Sequence, residues 1–80
     1  MSVDNPAVTV ESVKLAEDRS GDVVVRLYES RGGRARCELT AGFPVTRTEV
    51  TDLLERPLHE TAGPFTLRPF QILTLRLRPA

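Results

Sequence analysis

Tryptophan is absent from this chain, and tyrosine, histidine, cysteine and methionine occur once each. With Phe43, Phe65, Phe70 and Tyr28 as its aromatics, the core must be built mostly from Val and Leu. That composition favours β-branched packing in strands over a helix bundle. Aromatics this few and scattered form no stacking platform of the kind that single-stranded nucleic acid or sugar needs. A single cysteine, Cys37, excludes an internal disulfide. With Ala35 and Leu39 on its strand face, Cys37 is expected to be a buried small hydrophobe. Surplus charge is missing too: 11 basic residues balance 11 acidic ones. No general attraction to nucleic acid or anionic lipid follows, and neither is expected as a partner. No apolar run approaches the roughly 20 residues that a membrane-spanning helix requires. The first seven residues have neither the basic start nor the apolar stretch of a secretory signal. These features point to a cytoplasmic setting.

The chain does carry a clear two-residue rhythm. In its tail, Leu73, Leu75 and Leu77 alternate with Thr74, Arg76 and Arg78, which predicts a β-strand with one buried and one wetted face. Residues 22–29 form the clearest internal strand. Val23, Val25 and Leu27 face one way, and Val24, Arg26 and Tyr28 the other, so this strand should be central and covered on both sides. Over 34–40, Ala35, Cys37 and Leu39 point in while Arg34, Arg36 and Glu38 point out. Val8 and Val10 alternate out of phase with Val13 and Leu15, which places a bulge near Glu11-Ser12. Residues 45–51 read as a polar, Thr-rich edge strand, and 65–67 as a short strand.

Turn residues separate these segments. Gly21 closes 17–22, Ser30-Arg31-Gly32-Gly33 predicts a hairpin, and 41–44 turns the chain again. Residues 1–6 read as a flexible arm and 58–64 as a loop. Residues 52–56 suit either a helical turn or a short strand, ended by Pro57. The result is one domain over 7–80, all-β, a small antiparallel β-sandwich of about seven short strands, with an open β-barrel as the alternative. A chain of 80 residues buries roughly 60–65% of its unfolded surface, so modest stability is expected.

A reactive centre is hard to find. His59 is the only histidine and sits beside Glu60 in a predicted loop, where a solvated side chain is expected; metal sites need three or four convergent groups. Glu17-Asp18 and Ser20 read as turn chemistry, without a companion base. Gly32-Gly33 precedes no helix and cannot cradle phosphate. What remains is a surface feature. Val24, Arg26 and Tyr28 together are the residue types that protein interfaces concentrate. Either the domain's own loops cover them, or they meet a partner or the rest of a longer chain.

Five stretches of the chain resemble glycoside hydrolase family 38 α-mannosidases. Val13-Lys14-Leu15-Ala16-Glu17-Asp18 and Val24-Val25-Arg26-Leu27-Tyr28-Glu29 look like the family's "VK-x-AED" and "V-x-R-L-Y-E" stretches. Gly32-Gly33 follows as the glycine turn, Asp52-Leu53-Leu54-Glu55 as "(D/N)-L-L-E", and residues 67–75 resemble the terminal "L-R-P-(F/Y)-E-I-K-T-(L/F)". Gln71 and Leu73 depart from the usual Glu and Lys. The resemblance spans about residues 10–78. It implies a C-terminal β-sandwich module of a longer enzyme that hydrolyses α-mannosidic bonds with retention. It also implies zinc in a separate catalytic domain, which holds the nucleophile, the acid and the metal ligands.

No catalytic, cofactor or metal position of that family falls within these 80 residues, so the isolated chain is expected to be inert toward glycosides. On this resemblance the module packs on the remainder of the mannosidase and stabilises it, with Arg26, Tyr28 and Arg68 as candidate interdomain contacts. Two alternatives stay open: a carbohydrate-binding module with weak sugar affinity, and a free-standing immunoglobulin-like interaction domain.

Overall fold

The computed structural model describes residues 1–52, 57–61 and 63–80. Every regular element among them is a strand: β1 (Ser2–Val3), β2 (Val8–Leu15), β3 (Val23–Glu29), β4 (Ala35–Cys37), β5 (Leu39–Thr40), β6 (Val45–Thr51), β7 (Pro57–Thr61), β8 (Phe65–Leu67) and β9 (Ile72–Pro79). Five of them form an antiparallel sheet in the order β2-β3-β9-β6-β7. β4 pairs with β8, and β1 with β5, in two smaller ladders. The fold is all-β, antiparallel and open, a small sandwich with no closed barrel.

The core sits where the period-two pattern puts it. Val25 and Leu27 of β3 and Leu75 and Leu77 of β9 pack in one cluster with Ala35 and Cys37 of β4 and Phe65 and Leu67 of β8. All are buried. At roughly 25 cal/mol per Å² of apolar surface removed from water, a cluster of this kind is the main term holding a small domain together. Burial also pushes the Cys37 thiol pKa up, which keeps it protonated and unreactive. The bulge near Glu11 is present: the register of β2 on β3 shifts between Val10 and Ser12.

Several expectations are corrected. Nine strands are described where six segments read plainly as strands, because 34–40 divides in two and β1 and β7 are added. The break at Glu38 has a cause in the first six residues, expected as a flexible arm. Glu38 N donates to Asp4 Oδ1 (2.8 Å), Asp4 N donates to Glu38 O (3.3 Å), and Ser2–Val3 pairs with β5. The turn at 30–33 closes no hairpin. β3 already has β2 on one side and β9 on the other, so the chain passes instead to the second layer, where β4 meets β8. Part of the expected loop at 58–64 is β7, and β7 rather than β6 is the sheet edge there. Thr-rich β6 tolerates an interior place because Thr favours a pleated, half-buried surface. The alternatives considered for 53–56 lie outside the described residues.

The wetted face expected for the tail strand is kept only at Arg78, which is exposed. Thr74 and Arg76 are buried along with Leu75 and Leu77, since β9 is the middle strand of five. This face, opposite the core, positions the site considered next. Its cross-strand row runs Lys14, Val24, Arg76, Glu49 and Glu60, from β2 through to β7.

Candidate functional site

The turn at 17–22 folds by local side-chain bonds. Ser20 N donates to Asp18 Oδ1 (3.1 Å), and Asp22 N donates to Ser20 Oγ (3.1 Å). Short polar side chains that bond their own backbone two residues on hold such turns. Gly21 takes a left-handed φ of 84°, as the turn needs. The turn then delivers its acids to β9. Arg76 Nε donates to Asp22 Oδ2 at 2.6 Å, and Arg76 Nη2 donates to Asp18 Oδ2 and to Ser20 Oγ (2.8 Å). Arg78 Nε reaches Asp22 Oδ1 at 3.4 Å. A second group lies along the row: Arg47 pairs with Glu49 at 3.4 Å and with Glu60 at 3.1 Å. Asp22 and Arg76 carried no assigned role in the sequence reading. An Asp beside a turn glycine and an Arg in an alternating tail are common, and nothing local links them.

Among the described residues, Glu29 is the other buried acid. Its carboxylate accepts from the backbone N–H of Arg31 (2.9 Å), Gly32 (2.7 Å) and Phe70 (3.0 Å). It therefore ties the 30–33 passage to the turn before β9. Gly32 is required here: with φ at 79°, a Cβ on it would lie 2.8 Å from Phe70 Cζ.

These acids are held below their ordinary pKa values. The hydrogen bond from Arg76 brings Asp18 from 3.8 to about 2. Burial pushes Asp22 up, but the bonds from Arg76 and Arg78 outweigh it and the net direction is down. Glu29 is lowered by the Phe70 amide first, against burial, and then by Arg31, Gly32 and Gly33. A carboxylate with a depressed folded pKa adds stability that is present above its unfolded value and lost as pH falls through the folded one. Stability should accordingly decline as pH drops below 4.5, the ordinary value of Glu29, with the Asp18 contribution gone by about 2. Urea midpoints followed by circular dichroism over that range check this. Glu29→Gln should lower the midpoint at neutral pH and flatten its dependence on acid, because an amide offers one acceptor oxygen in place of two.

Of the three candidate contacts, Arg26 and Tyr28 lie together on the face opposite the core, both half-buried. Tyr28 stands between Thr9 of β2 and Ile72 of β9, and Arg26 between Ser12 and Thr74. Arg26 Nε is buried with no hydrogen-bond partner. Val24, grouped with them on that face, is fully buried within the domain itself. Arg68 is exposed in the turn before β9, where its N–H donates to Gln71 Oε1 (2.8 Å) and its carbonyl accepts from Gln71 N (3.0 Å). The turn containing Arg68 leads into Ile72, the register partner of Tyr28, which is the link between the three.

A cleft of about 290 Å³ opens between the layers, lined by Leu39, Phe65 and Leu77 with Glu38 and Thr48. Phe65 is only 8% exposed, so its ring face is not offered for stacking. His59 is exposed on β7. Among the described residues, no three His, Cys, Asp or Glu side chains gather as ligands for a metal ion.

Comparison with known proteins agrees with this all-β architecture. Residues 7–75 match the family described as "Glycosyl hydrolases family 38 C-terminal beta sandwich domain". Alpha-mannosidase 2C1 of Homo sapiens is 42% identical over 87 aligned positions, covering 95% of this chain and 8% of that protein. Alpha-mannosidase 2C1 of Mus musculus is 35% identical over 85 positions, with the same coverage on both sides. The chain thus spans about 8% of the length of these curated relatives.

Proposed function

Because this chain belongs to the family of glycosyl hydrolase family 38 C-terminal β-sandwich domains, we propose that it serves as the non-catalytic C-terminal module of an α-mannosidase and stabilises the rest of that enzyme by packing on it. The observation that carries this reading is the alignment of 95% of the chain with 8% of an α-mannosidase. The zinc ion implied for such an enzyme finds no donor set among the described residues here, so its ligands would come from elsewhere in the polypeptide. A reducing, cytoplasmic setting suits a lone buried thiol. Sugar binding is the weaker reading, since Phe70, 59% exposed, is a lone open ring rather than a platform of several aromatics.

Arg26, Tyr28 and Arg68 are the contacts offered to the remainder of the enzyme. Tyr28 has the best case: a half-buried aromatic beside Ile72, which is 47% exposed, is the pattern of an interface anchor. In the full-length polypeptide, Tyr28→Ala should cost more than about 1 kcal/mol, read as a lower thermal midpoint. Unchanged stability and activity would remove Tyr28 from the interface. The purified 80-residue chain should leave a nitrophenyl α-mannoside untouched while the full-length polypeptide hydrolyses it. Turnover by the short chain would overturn the non-catalytic reading.

A further inference from the structure

β2 and β7 are the two edges of the five-stranded sheet. An edge strand carries backbone groups without a ladder partner, which folded proteins blunt with proline, charge or a bulge. The two edges differ in how far they are blunted. β7 opens on Pro57, breaks register with β6 between Val50 and Thr51, and presents His59 and Glu60, both exposed. β2 has its bulge between Val10 and Ser12, and from residue 12 to 15 it runs in unbroken register with β3.

The orientation of the backbone along 12–15 follows from two bonds. Ala16 N donates to Asp22 O at 2.8 Å, so residues 16 and 22 form a hydrogen-bonded pair. Antiparallel pairs alternate, which turns the N–H and C=O of Leu15 and Val13 away from β3 and out to the sheet edge. The bond from Glu29 N to Gln71 O on the other side of β3 fits the same alternation. Among the described residues, no strand pairs with that edge of β2.

The same two residues are the exposed apolar ones of β2: Leu15 is 70% exposed and Val13 49%. Their register partners are Val23 and Val25, on the face that builds the core, so the second layer stops short of them. Lys14 between them shares the opposite face with Val24 and reaches Glu17 at 3.7 Å, which leaves the apolar side without a charge of its own. Outward backbone groups and uncovered aliphatic side chains therefore coincide along one short margin.

We infer that residues 12–15 of β2 dock an extended segment of the same mannosidase polypeptide from outside these 80 residues. The segment adds a strand to the sheet and lays apolar side chains on Val13 and Leu15. This rests on the reading proposed above. The choice of occupant follows from length: the relatives run far beyond the 8% that this chain spans, so on that reading most of the polypeptide lies outside it. Strand addition at an edge draws affinity from main-chain bonds and specificity from alternate side chains, and this margin offers both.

Amide hydrogen exchange tests it. In the full-length polypeptide, the Val13 and Leu15 amides should exchange about tenfold more slowly than in the 80-residue chain, the change that one hydrogen bond brings. Val13→Pro removes an outward N–H and leaves the ladder with β3 intact, a place where strands tolerate proline. In the full-length polypeptide that variant should return the Leu15 amide to fast exchange. Fast exchange of both amides in the full-length protein overturns the inference, and should the short chain fail to fold, the comparison of full-length wild type with Val13→Pro decides. Slowing in the short chain that grows with its concentration also overturns it, since a second copy would then be the occupant. Slowed amides in a full-length protein without mannosidase turnover would keep the docked edge and sink the mannosidase reading instead.

Discussion

Replacing Arg76 with methionine is expected to destabilise the domain by about 3 kcal/mol, read as a fall in the urea midpoint at neutral pH. Methionine keeps much of the stem that packs against the middle of the sheet but removes the guanidinium. Asp22 then remains, only 2% exposed, with its 2.6 Å partner gone and Arg78 at 3.4 Å as its remaining cation. A buried charge stripped of its partner is among the most costly single changes, because the desolvation of the ion is no longer offset. Total stability for a domain of this length is roughly 4–12 kcal/mol, so the loss is a large share of it. Combining Arg76→Met with Asp22→Asn separates the pair from its members. The double variant should lose clearly less than the sum of the two single losses, because each substitution already breaks the same contact. Simple additivity would mean that the Asp22 and Arg76 side chains do not act together. Asp18, half exposed, should matter much less.

Leu27→Ala is the second large effect, with an expected loss of about 2–5 kcal/mol. Leu27 is fully buried on β3, flanked in register by Val10 and Leu73. Its place in the core also brings it into the cluster with β4 and β8. Truncation removes apolar contacts and leaves a cavity that neighbours fixed in a ladder cannot fill by collapsing. In an 80-residue domain the variant should unfold at a much lower denaturant concentration. Leu58→Ala, on a residue 62% exposed, is the matching control and should barely move the midpoint. A similar small effect at Leu27 would mean that the layers do not pack as a sandwich.

The sandwich class was legible because strand periodicity is a local property. Alternation in 23–29 and 72–79 sorted Val25, Leu27, Leu75 and Leu77 to one face correctly, and the out-of-phase valines of β2 marked its bulge. Cys37 was placed inside on the same grounds. The candidate site was legible only in part. Arg26 and Tyr28 do share a face, because two residues apart on a strand they must. Glu29, capping three amides of two distant turns, gave no local signal. Val24 is buried, as a strand covered on both sides requires, but alternation by itself cannot tell whether the cover comes from the domain or from a partner.

The residues alone determined that this chain makes short strands and which side chains of a strand share a face, since backbone pleat acts over a few neighbours. Partnership was decided by the tertiary structure. β3 takes β2 and β9 rather than β4, β6 moves inside while β7 takes the edge, and Asp22 meets Arg76 across a separation of 54 residues. Strand pairing is chosen by which edges remain open and by how much apolar surface the whole arrangement buries. That sum belongs to the assembled chain, not to any segment of it.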